Sequence, residues 1–434
     1  MKITKKLILA ALAACIFTSG LTACGGSDSS SSASEVSSLS SAENPDSSDA
    51  SASESSEDEN IVIEEMRDIT AWELCSEMTI GWNLGNTLDA YSSGMGSETA
   101  WGNPEASQEF INSVKEAGFN TIRIPVTYMG NIDDANGYKI DEAWLSRVQE
   151  VVDYAVEADM YIIMNIHHDG NNDNGSWIDV TADDQTAIQE KFAAVWEQIA
   201  NKFKGYNEKL VFESMNEIME PNIYSRPRKK TTYPNINALN QIFVETVRST
   251  GANNEKRVLL VPGYNTNIEY TCNSRYGFEL PTDSAADKLA VSAHFYDPYD
   301  YALNEGNSEI FKWGQYADSN VLDYGNEADV DNAVSAIKNF TDNKIPVIIG
   351  EYGCIDKSHI DPSADAYRRY YLEYVTRAMK KVGAVPVYWD NGWSGDNGFA
   401  LFDRTTGDVL HQNLVEAMVR AATATEDYEI ASPA

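Results

Sequence analysis

The chain has 434 residues, 43% of them hydrophobic, and carries 67 acidic against 32 basic side chains, for a formal net charge of −35 at pH 7. A hydrophobic fraction of this size can build a full core, so an intrinsically disordered chain is excluded. So strong an acidity repels phosphate backbones, and we expect no binding to nucleic acid.

The first 23 residues have the pattern of an export signal. Three lysines precede an apolar run over residues 7–17, which is too short for an ordinary membrane-spanning helix. Residues 21–24, Leu-Thr-Ala-Cys, resemble a bacterial lipobox, which implies cleavage before Cys24 and attachment of lipid to its sulfur. Residues 12–15 match the same pattern, but cleavage there would cut through the apolar run. We therefore expect a signal peptide over residues 1–23 and lipidation of Cys24, with plain secretion and an unmodified Cys24 as the alternative.

The segment after Cys24 has the composition of a disordered tether. Residues 25–60 contain 16 serines and nine acidic side chains, with no lysine or arginine. Such a segment cannot bury enough apolar surface to offset the entropy of ordering. We expect a lipidated Cys24 and tether over residues 24–60 and one folded domain over residues 61–434. This organisation predicts an exported bacterial lipoprotein held at the cell surface through the membrane anchor, or a secreted protein without it.

From residue 61 onward, short apolar runs that end in polar residues alternate with amphipathic stretches. The runs predict strands at 79–84, 120–126, 161–167, 210–216, 258–263, 289–296, 346–351 and 385–390. The stretches predict helices at 107–117, 142–158, 186–203, 237–249, 330–340 and 364–381. The connection 264–288 shows no clear helical period.

Eight apolar strands alternating with helices predict an α/β fold, a (β/α)8 TIM barrel in a single domain. A doubly wound open sheet is the alternative, but residues 81–87 lack the G-x-G-x-x-G spacing that such a fold often carries after its first strand. In a barrel the carboxyl ends of the strands converge on one mouth. Residues far apart in sequence can therefore share one site.

Two predicted strand ends carry a glutamate. Glu217 follows the fourth predicted strand and Glu351 ends the seventh. A carboxylate at the end of an apolar strand is costly to desolvate without a partner. A salt-bridged structural acid is the alternative for either residue alone, but two glutamates facing one mouth favour a catalytic pair. Glu213 shares the face of Glu217 but lies deeper, where we expect no contact with substrate.

Other polar side chains lie at the same predicted strand ends. Arg123 places a permanent cation in the second strand. His294 and Tyr296 are two residues apart on the sixth strand and share a face. His167 and His168 are consecutive at the end of the third strand, so strict alternation sends them to opposite faces.

In this order, these residues resemble glycoside hydrolase family 5, the cellulase family. The motifs are Arg123 in R-I-P-V, the pair His167-His168, Asn216-Glu217, H-F-Y at 294–296, Glu351 in I-G-E-Y-G and Trp389 in V-Y-W-D-N-G. Residues 81–89, G-W-N-L-G-N-T-L-D, and 101–104, W-G-N-P, resemble the subfamily that contains endoglucanases and xyloglucanases. Ile218 departs from the family, which usually has proline after Asn-Glu.

The resemblance implies a catalytic domain that is a retaining endo-β-1,4-glucanase, acting on cellulose, mixed-linkage glucan or xyloglucan. It implies Glu217 as acid/base and Glu351 as nucleophile, with carboxyl groups about 5–5.5 Å apart. It further implies contacts to a β-linked plant polysaccharide from Arg123, His167, His168, Asn216, His294, Tyr296 and Trp389. We expect Arg123 and Tyr296 to keep Glu351 ionised, and the charge of Glu351 to raise the pKa of Glu217.

Among these, Asn216 is expected to bond the sugar 2-hydroxyl, and Trp389 to stack under a glucosyl unit with core packing as its alternative. We trust His167 more than His168 as a sugar contact. Loop tryptophans also offer sugar-binding surfaces, with local packing as the alternative. They are Trp101, Trp177 and Trp393.

We expect no metal and no cofactor, because adjacent histidines on a straight strand cannot easily chelate one ion. The chain has no G-x-S-x-G, which disfavours a serine esterase.

Two functions remain as alternatives to an endo-β-1,4-glucanase: a β-mannanase or xylanase on the same barrel, and a non-catalytic sugar-binding lipoprotein. We expect a monomer. We expect Cys75, Cys272 and Cys354 to be buried free thiols, with one disulfide as the alternative.

Overall fold

In the computed structural model, which describes residues 62–170 and 173–433, eight parallel strands close into a barrel. They are β1 (Gly81–Leu84), β2 (Thr121–Ile124), β3 (Tyr161–Asn165), β4 (Leu210–Glu213), β5 (Leu259–Asn267), β6 (Leu289–Phe295), β7 (Val347–Tyr352) and β8 (Val385–Asp390). The first strand closes the ring, since Gly81 pairs with Val387 on one side and Thr121 on the other. The predicted (β/α)8 TIM barrel is confirmed, and the open sheet is excluded.

Helices surround the barrel, and the first of them in the chain covers its bottom. They are α1 (Ala71–Glu77), α2 (Gln108–Glu116), α3 (Glu142–Glu157), α4 (Thr186–Phe203), α5 (Thr232–Ser249), α6 (Ile268–Cys272), α7 (Tyr299–Ala302), α8 (Glu327–Ser335), α9 (Lys338–Thr341), α10 (Ala364–Lys381) and α11 (Gln412–Thr423). Two antiparallel ribbons pair Tyr91–Ser92 with Met95–Gly96 and Ile132–Asp133 with Lys139–Ile140. Short 3-10 turns lie at Asp134–Asn136, Ala252–Glu255 and Ser274–Tyr276.

The predicted helices recur, with one instructive difference. The helix predicted at 330–340 is two helices, α8 and α9, and α8 begins earlier, at Glu327. The reason is a capping box: the Asn326 side chain accepts from backbone N–H groups of the first turn, and the Asp329 side chain accepts from the Asn326 N–H. Such a cap satisfies groups that the first turn of a helix leaves without partners.

Helix α1 closes the bottom of the barrel. Its residues Ala71, Leu74 and Cys75 are buried against the apolar side chains at the N-terminal ends of the strands, among them Val211 and Ile348. Thr70 and Glu73 form a capping box that starts this short helix. Because the bottom is closed, the carboxyl ends of the strands are the open end of the barrel.

The chain enters the barrel at this same bottom end. The Glu64 N–H donates to the Gly205 carbonyl at 2.8 Å, just before β4. Asp68 pairs with Lys256 at 2.7 Å and with Lys288 at 2.9 Å, which precede β5 and β6. Residues 64–68 therefore lie at the N-terminal ends of the strands, opposite the mouth.

The predicted signal peptide (1–23), the lipidation site Cys24 and the tether up to residue 60 all lie outside the described residues. Among the described residues, no helix combines the length and the apolar character needed to cross a bilayer. Cys75, Cys272 and Cys354 are buried free thiols, as predicted, and burial raises each pKa to about 12.

Candidate active site

The two glutamates singled out from the sequence meet at the mouth of the barrel. Glu351 lies on β7 and Glu217 in the loop directly after β4. Their exposed fractions are only 4% and 6%. One carboxylate oxygen of Glu217 lies within 4.8 Å of one of Glu351. This spacing fits a retaining glycosidase, whose two carboxyl groups are about 5–5.5 Å apart.

Arg123 is the centre of the hydrogen-bond network below this pair. It is fully buried on β2, and its Nε donates to Glu213 at 2.7 Å. Its Nη1 donates to Glu351 at 2.8 Å and to Asn83 at 3.0 Å, and its Nη2 donates to Asn216 at 2.9 Å. Burial opposes the charge, but the two carboxylates outweigh it and raise the pKa of Arg123. The permanent cation of Arg123 thus pairs with two buried carboxylates, Glu213 and Glu351.

Glu351 has the hydrogen-bond donors that an anion needs. Burial raises its pKa, and the charge and hydrogen bond of Arg123 oppose that rise. Tyr296 Oη donates to the second carboxylate oxygen at 3.0 Å. Hydrogen bonds to a charged form favour that form. The predicted contacts of Arg123 and Tyr296 with Glu351 are therefore present in the structure.

Glu217 is in the opposite situation. Burial raises its pKa to about 7, against the attraction of Arg123. Its Oε1 lies 2.7 Å from His294 Nδ1, and burial lowers the pKa of His294 to about 4, so the histidine is neutral near pH 7. The expected cause, the charge of Glu351, is not what raises this pKa: burial is the largest cause, and the carboxylate that adds to the rise is Glu213. The environment therefore keeps this carboxyl protonated in mildly acidic solution.

A second group lies beside the pair. Asn216 Nδ2 is 3.3 Å from His167 Nε2, which is itself 3.9 Å from Glu351. The His167 ring is parallel to that of Trp389, with centroids 5.9 Å apart and planes 4° apart. A Cβ at Gly85 would come within 2.9 Å of the Trp389 ring, so the loop after β1 needs glycine there. The half-buried Trp389 thus lies at the mouth, as predicted, next to His167.

His168 turns away from the glutamates. Its Nδ1 lies 3.1 Å from Asp173 and its Nε2 lies 3.8 Å from Asp89. Burial opposes its charge, but these carboxylates raise its pKa. The prediction that His167 and His168 point to opposite faces was wrong, since their rings are 4.6 Å apart in an edge contact. Strand β3 ends at Asn165, so alternation no longer applies to the two histidines.

The three loop tryptophans divide into two kinds. Trp101 is 41% exposed and Trp393 is 51% exposed, so both offer ring surface to a ligand. Trp101 also contacts the His168 ring, at 5.4 Å between centroids. Trp177 is half-buried, its Nε1 donates to Asp169 at 2.6 Å, and Lys191 covers its ring, so it is a packing residue.

The sequence reasoning missed three polar residues of the site. Asn83 accepts from Arg123 and donates to the Gly350 carbonyl at 2.8 Å, and its signal was a polar side chain in an apolar strand. Ser292 Oγ donates to Glu213 at 2.5 Å. Tyr224, half-buried in the loop after β4, had no sequence signal; burial and the charges of Glu217 and Asp173 raise its pKa. Glu213 is fully buried and deep, as expected.

In the part of the chain that the structure describes, two groups have side-chain atoms close enough for a metal ion, within 4.8 Å of one another. They are Glu217, His294 and Glu351, and Asp89, His167 and His168. In the first group, His294 bonds Glu217 while Arg123 and Tyr296 bond Glu351. In the second, the two Asp89 oxygens accept from backbone N–H groups at 2.8 and 3.0 Å. In both groups, hydrogen bonds thus account for the close approach of these side chains.

The comparisons with known proteins agree with this geometry. The family model for cellulase, glycosyl hydrolase family 5, matches residues 88–395. Endoglucanase A of Paenibacillus barcinonensis is 45% identical over 368 residues, covering 82% of this chain and 91% of that protein. A family 5 xyloglucanase from Paenibacillus pabuli, solved in complex with ligand, superposes with a TM-score of 0.78 at 47% identity, covering 81% of this chain and all of that one.

A third protein adds a different substrate description. A GH5-4 broad specificity endoglucanase from Bacteroides salanitronis superposes with a TM-score of 0.78 at 41% identity. The match covers 85% of this chain and 99% of that chain. Each of these three matches covers more than four fifths of this chain and more than nine tenths of the other protein.

Proposed function

The chain belongs to glycosyl hydrolase family 5 and is a glycoside hydrolase of the endo-β-1,4-glucanase type; from this premise we propose that it cleaves β-glucans with retention of configuration, using Glu217 and Glu351. The observation that carries the proposal is the asymmetry of the pair. Glu351 accepts hydrogen bonds from a guanidinium and a phenol, whereas Glu217 contacts a neutral histidine and has a pKa of about 7.

The first step uses both carboxyl groups at once. A Glu351 oxygen attacks the anomeric carbon, and the bond from that carbon to the leaving oxygen breaks. Glu217 gives its proton to the leaving oxygen, so the departing sugar is neutral. The products are a glycosyl ester on Glu351, an ionised Glu217 and the released end of the polymer.

The second step returns both residues to their starting states. Esterification removes the charge of Glu351, which leaves Glu217 as the ionised member of the pair. Glu217 takes a proton from a water molecule, and the water oxygen attacks the anomeric carbon. The ester bond breaks and Glu351 leaves as a carboxylate. Two inversions at one carbon give net retention.

The other residues at the mouth have supporting roles in this proposal. Asn216 bonds the sugar 2-hydroxyl, an interaction that strengthens in the oxocarbenium-like transition state. His167 and Trp389 contact the sugar ring. His294 positions Glu217, while Arg123 and Tyr296 stabilise the ionised Glu351. His168 acts indirectly, because its nitrogens face Asp89 and Asp173.

The proposed substrates are β-1,4-glucans, including xyloglucan. The relatives named above are an endoglucanase, a xyloglucanase and a broad specificity endoglucanase, which supports both unbranched and branched chains. Activity on mannan or xylan has no comparable support. A non-catalytic sugar-binding protein is excluded by the membership of the chain in a hydrolase family.

A panel of polymers tests this proposal. The purified protein is incubated with barley mixed-linkage glucan, xyloglucan, mannan and xylan, and released reducing ends are measured. We expect internal cleavage of the two glucans, seen as a rapid fall in viscosity, and products that NMR shows first as β-anomers. An inverted product contradicts the mechanism, and release from mannan or xylan alone contradicts the substrate.

The location of the enzyme is part of the proposal. Processing before Cys24 and lipidation of its thiol attach the enzyme to the surface of a bacterium, supported by the lipobox-like residues 21–24. In a bacterial host, labelled fatty acid is expected in the native chain and absent from a Cys24→Ala variant. Equal release of both proteins into the medium contradicts the anchor. We propose a monomer, which the molecular mass in solution tests.

A further inference from the structure

One short loop collects positive charge in this acidic chain. The basic loop, residues 221–231, follows β4 and Glu217 and carries Arg226, Arg228, Lys229 and Lys230, all exposed. The chain as a whole has 67 acidic and 32 basic residues. Four cations within five positions therefore create a local field of the opposite sign to that of the protein.

The basic loop is held firmly to the barrel. The buried Glu220 carboxylate accepts from the backbone N–H groups of Arg228 at 2.9 Å and Lys229 at 2.7 Å. Tyr264 Oη donates to the Ile223 carbonyl at 2.6 Å, on the other side of the loop. These bonds fix the main chain from within and leave the basic side chains outside.

Three of these side chains are available to a ligand. Arg226, Arg228 and Lys230 make no side-chain hydrogen bond or ion pair with any described residue, whereas Lys229 Nζ donates to a backbone carbonyl. Some exposed cations elsewhere are paired, as in Arg275 with Glu269. In the basic loop, three unpaired cations lie within five positions of the sequence.

The basic loop lies next to the part of the cleft that would hold the leaving half of the polymer. It begins four residues after Glu217, and Tyr264, in the C-terminal half of β5, donates to its Ile223 carbonyl, so its first residues lie at the mouth of the barrel. Glu217 is the proposed acid for the leaving oxygen, so the leaving half of the polymer lies next to it. The loop that directly follows Glu217 therefore adjoins the leaving-group half of the cleft.

We propose that the basic loop is a binding site for carboxylate groups carried by the glucan chain, such as uronic acid substituents, on the leaving-group side of the cleft. This inference rests on the proposed function and narrows its substrate class. Guanidinium groups match carboxylates in a bidentate geometry. A polyanion is repelled by the net charge of the protein, and a local cationic patch beside the cleft offsets that repulsion there.

The test compares two triple variants that each remove three positive charges. The first is R226Q/R228Q/K230Q in the basic loop. The matched control is K202Q/K338Q/K381Q, at the ends of α4 and α10 and in α9, on the side of the barrel away from the mouth. The probes are carboxymethyl cellulose, an anionic glucan, and hydroxyethyl cellulose, a neutral one, and kcat/KM is measured in low salt and in high salt.

For the basic-loop variant we expect kcat/KM on the anionic glucan to fall by about three- to tenfold at low salt. The loss should disappear in about 1 M salt, where the screening length is about 3 Å. Activity on the neutral glucan should stay at the wild-type value in both variants. The control variant should match the wild type on the anionic glucan to within about twofold.

Three results would overturn the inference. They are equal loss on both glucans, no loss on the anionic glucan, and an equal loss in the control variant. A wild-type protein inactive on every glucan would instead overturn the proposed function. In that case retardation in gels containing carboxymethyl cellulose still tests the loop, because binding needs no turnover: equal mobility of the wild type and the basic-loop variant overturns it.

Discussion

His294 Nδ1 lies 2.7 Å from Glu217 Oε1, and both groups are neutral over the same pH range. Burial lowers the pKa of His294 to about 4 and raises that of Glu217 to about 7. Between those values the carboxylic acid and the imidazole share one hydrogen bond without a net charge on either. The histidine therefore positions the acid without promoting its ionisation.

The first prediction concerns the alkaline limit of activity. Glu217 must hold a proton to release the leaving sugar, so we expect kcat/KM on soluble glucan to fall above about pH 7. The fall should approach tenfold per pH unit. Rates measured from pH 5 to pH 9 check this. An aryl cellobioside with a dinitrophenol leaving group should lack this limb, whereas a polysaccharide profile that stays flat to pH 9 contradicts the assignment.

Replacement of Glu217 should slow substrates with a poor leaving group far more than substrates with a good one. We expect Glu217→Gln to lower kcat/KM on polysaccharide by about 10²–10⁴-fold, the usual contribution of a positioned acid. Turnover of the dinitrophenyl cellobioside should suffer far less in its first step, because that leaving group needs no proton. Burst and steady-state rates on the two substrates measure the difference. An equal loss on both would point to a structural role.

The same substitution should alter stability with pH. The pKa of Glu217 is above its ordinary value of 4.5, so the folded protein holds this proton more tightly than the unfolded chain. The contribution of Glu217 to folding therefore becomes less favourable as pH rises from about 4.5 to about 7. We expect Glu217→Gln to be more stable than wild type at pH 8, by about 1–3 kcal/mol, with a smaller difference at pH 4. Urea unfolding of the wild type and the variant at pH 4 and at pH 8 measures this difference in stability.

Replacement of the nucleophile Glu351 should lower the activity on every substrate, whatever its leaving group. We expect Glu351→Gln to lower kcat by at least about 10⁴-fold on polysaccharide and activated substrate alike. The amide is nearly isosteric and keeps an oxygen to accept from Arg123 or Tyr296, so the fold should persist. Circular dichroism and retained binding to xyloglucan control for folding. Substantial turnover of the activated substrate would assign the nucleophile elsewhere.

Removal of the central cation should change both stability and pH dependence. Arg123→Met leaves Glu213 and Glu351 buried without their counter-charge, at a cost of about 3–5 kcal/mol. Because Arg123 opposes the rise in the pKa of Glu351, its loss should move the acidic limb of the activity profile to higher pH. Unfolding curves and kcat/KM from pH 3 to pH 7 measure the two effects.

A second buried arginine gives the control. Arg257 is equally buried, but its guanidinium donates to backbone carbonyls such as that of Leu210 at 2.7 Å, near the start of β4. Arg257→Met should destabilise the protein without moving the acidic limb. A similar pH shift in both variants would mean that destabilisation alone causes it.

Much of the barrel could be predicted because parallel strands buried on both faces read as apolar runs. All eight strands lie where those runs are, and Glu217 and Glu351 meet because barrel topology places both strand ends at one mouth. Helix α11, of twelve residues, was not predicted, and neither was α1, although Thr70 and Glu73 give the capping box of α1 in the sequence. A helix of seven residues offers too few turns for its period to be visible.

The rest depended on tertiary contacts. The direction of His168 is set by where β3 ends and by Asp89 and Asp173, neither of which alternation can foresee. The position of Tyr224 depends on a loop without periodicity that Glu220 anchors from below. The pKa of Glu217 follows from burial, and the local sequence does not report how deeply a strand end is covered.

The route by which the chain enters the barrel determines how the enzyme can be mounted. Glu64 and Asp68 attach at the pole farthest from the mouth. Whatever holds the preceding residues, whether a lipid, a resin bead or a fused protein, is joined on the side remote from the cleft. A support coupled through those residues therefore leaves the mouth of the barrel facing away from the point of attachment.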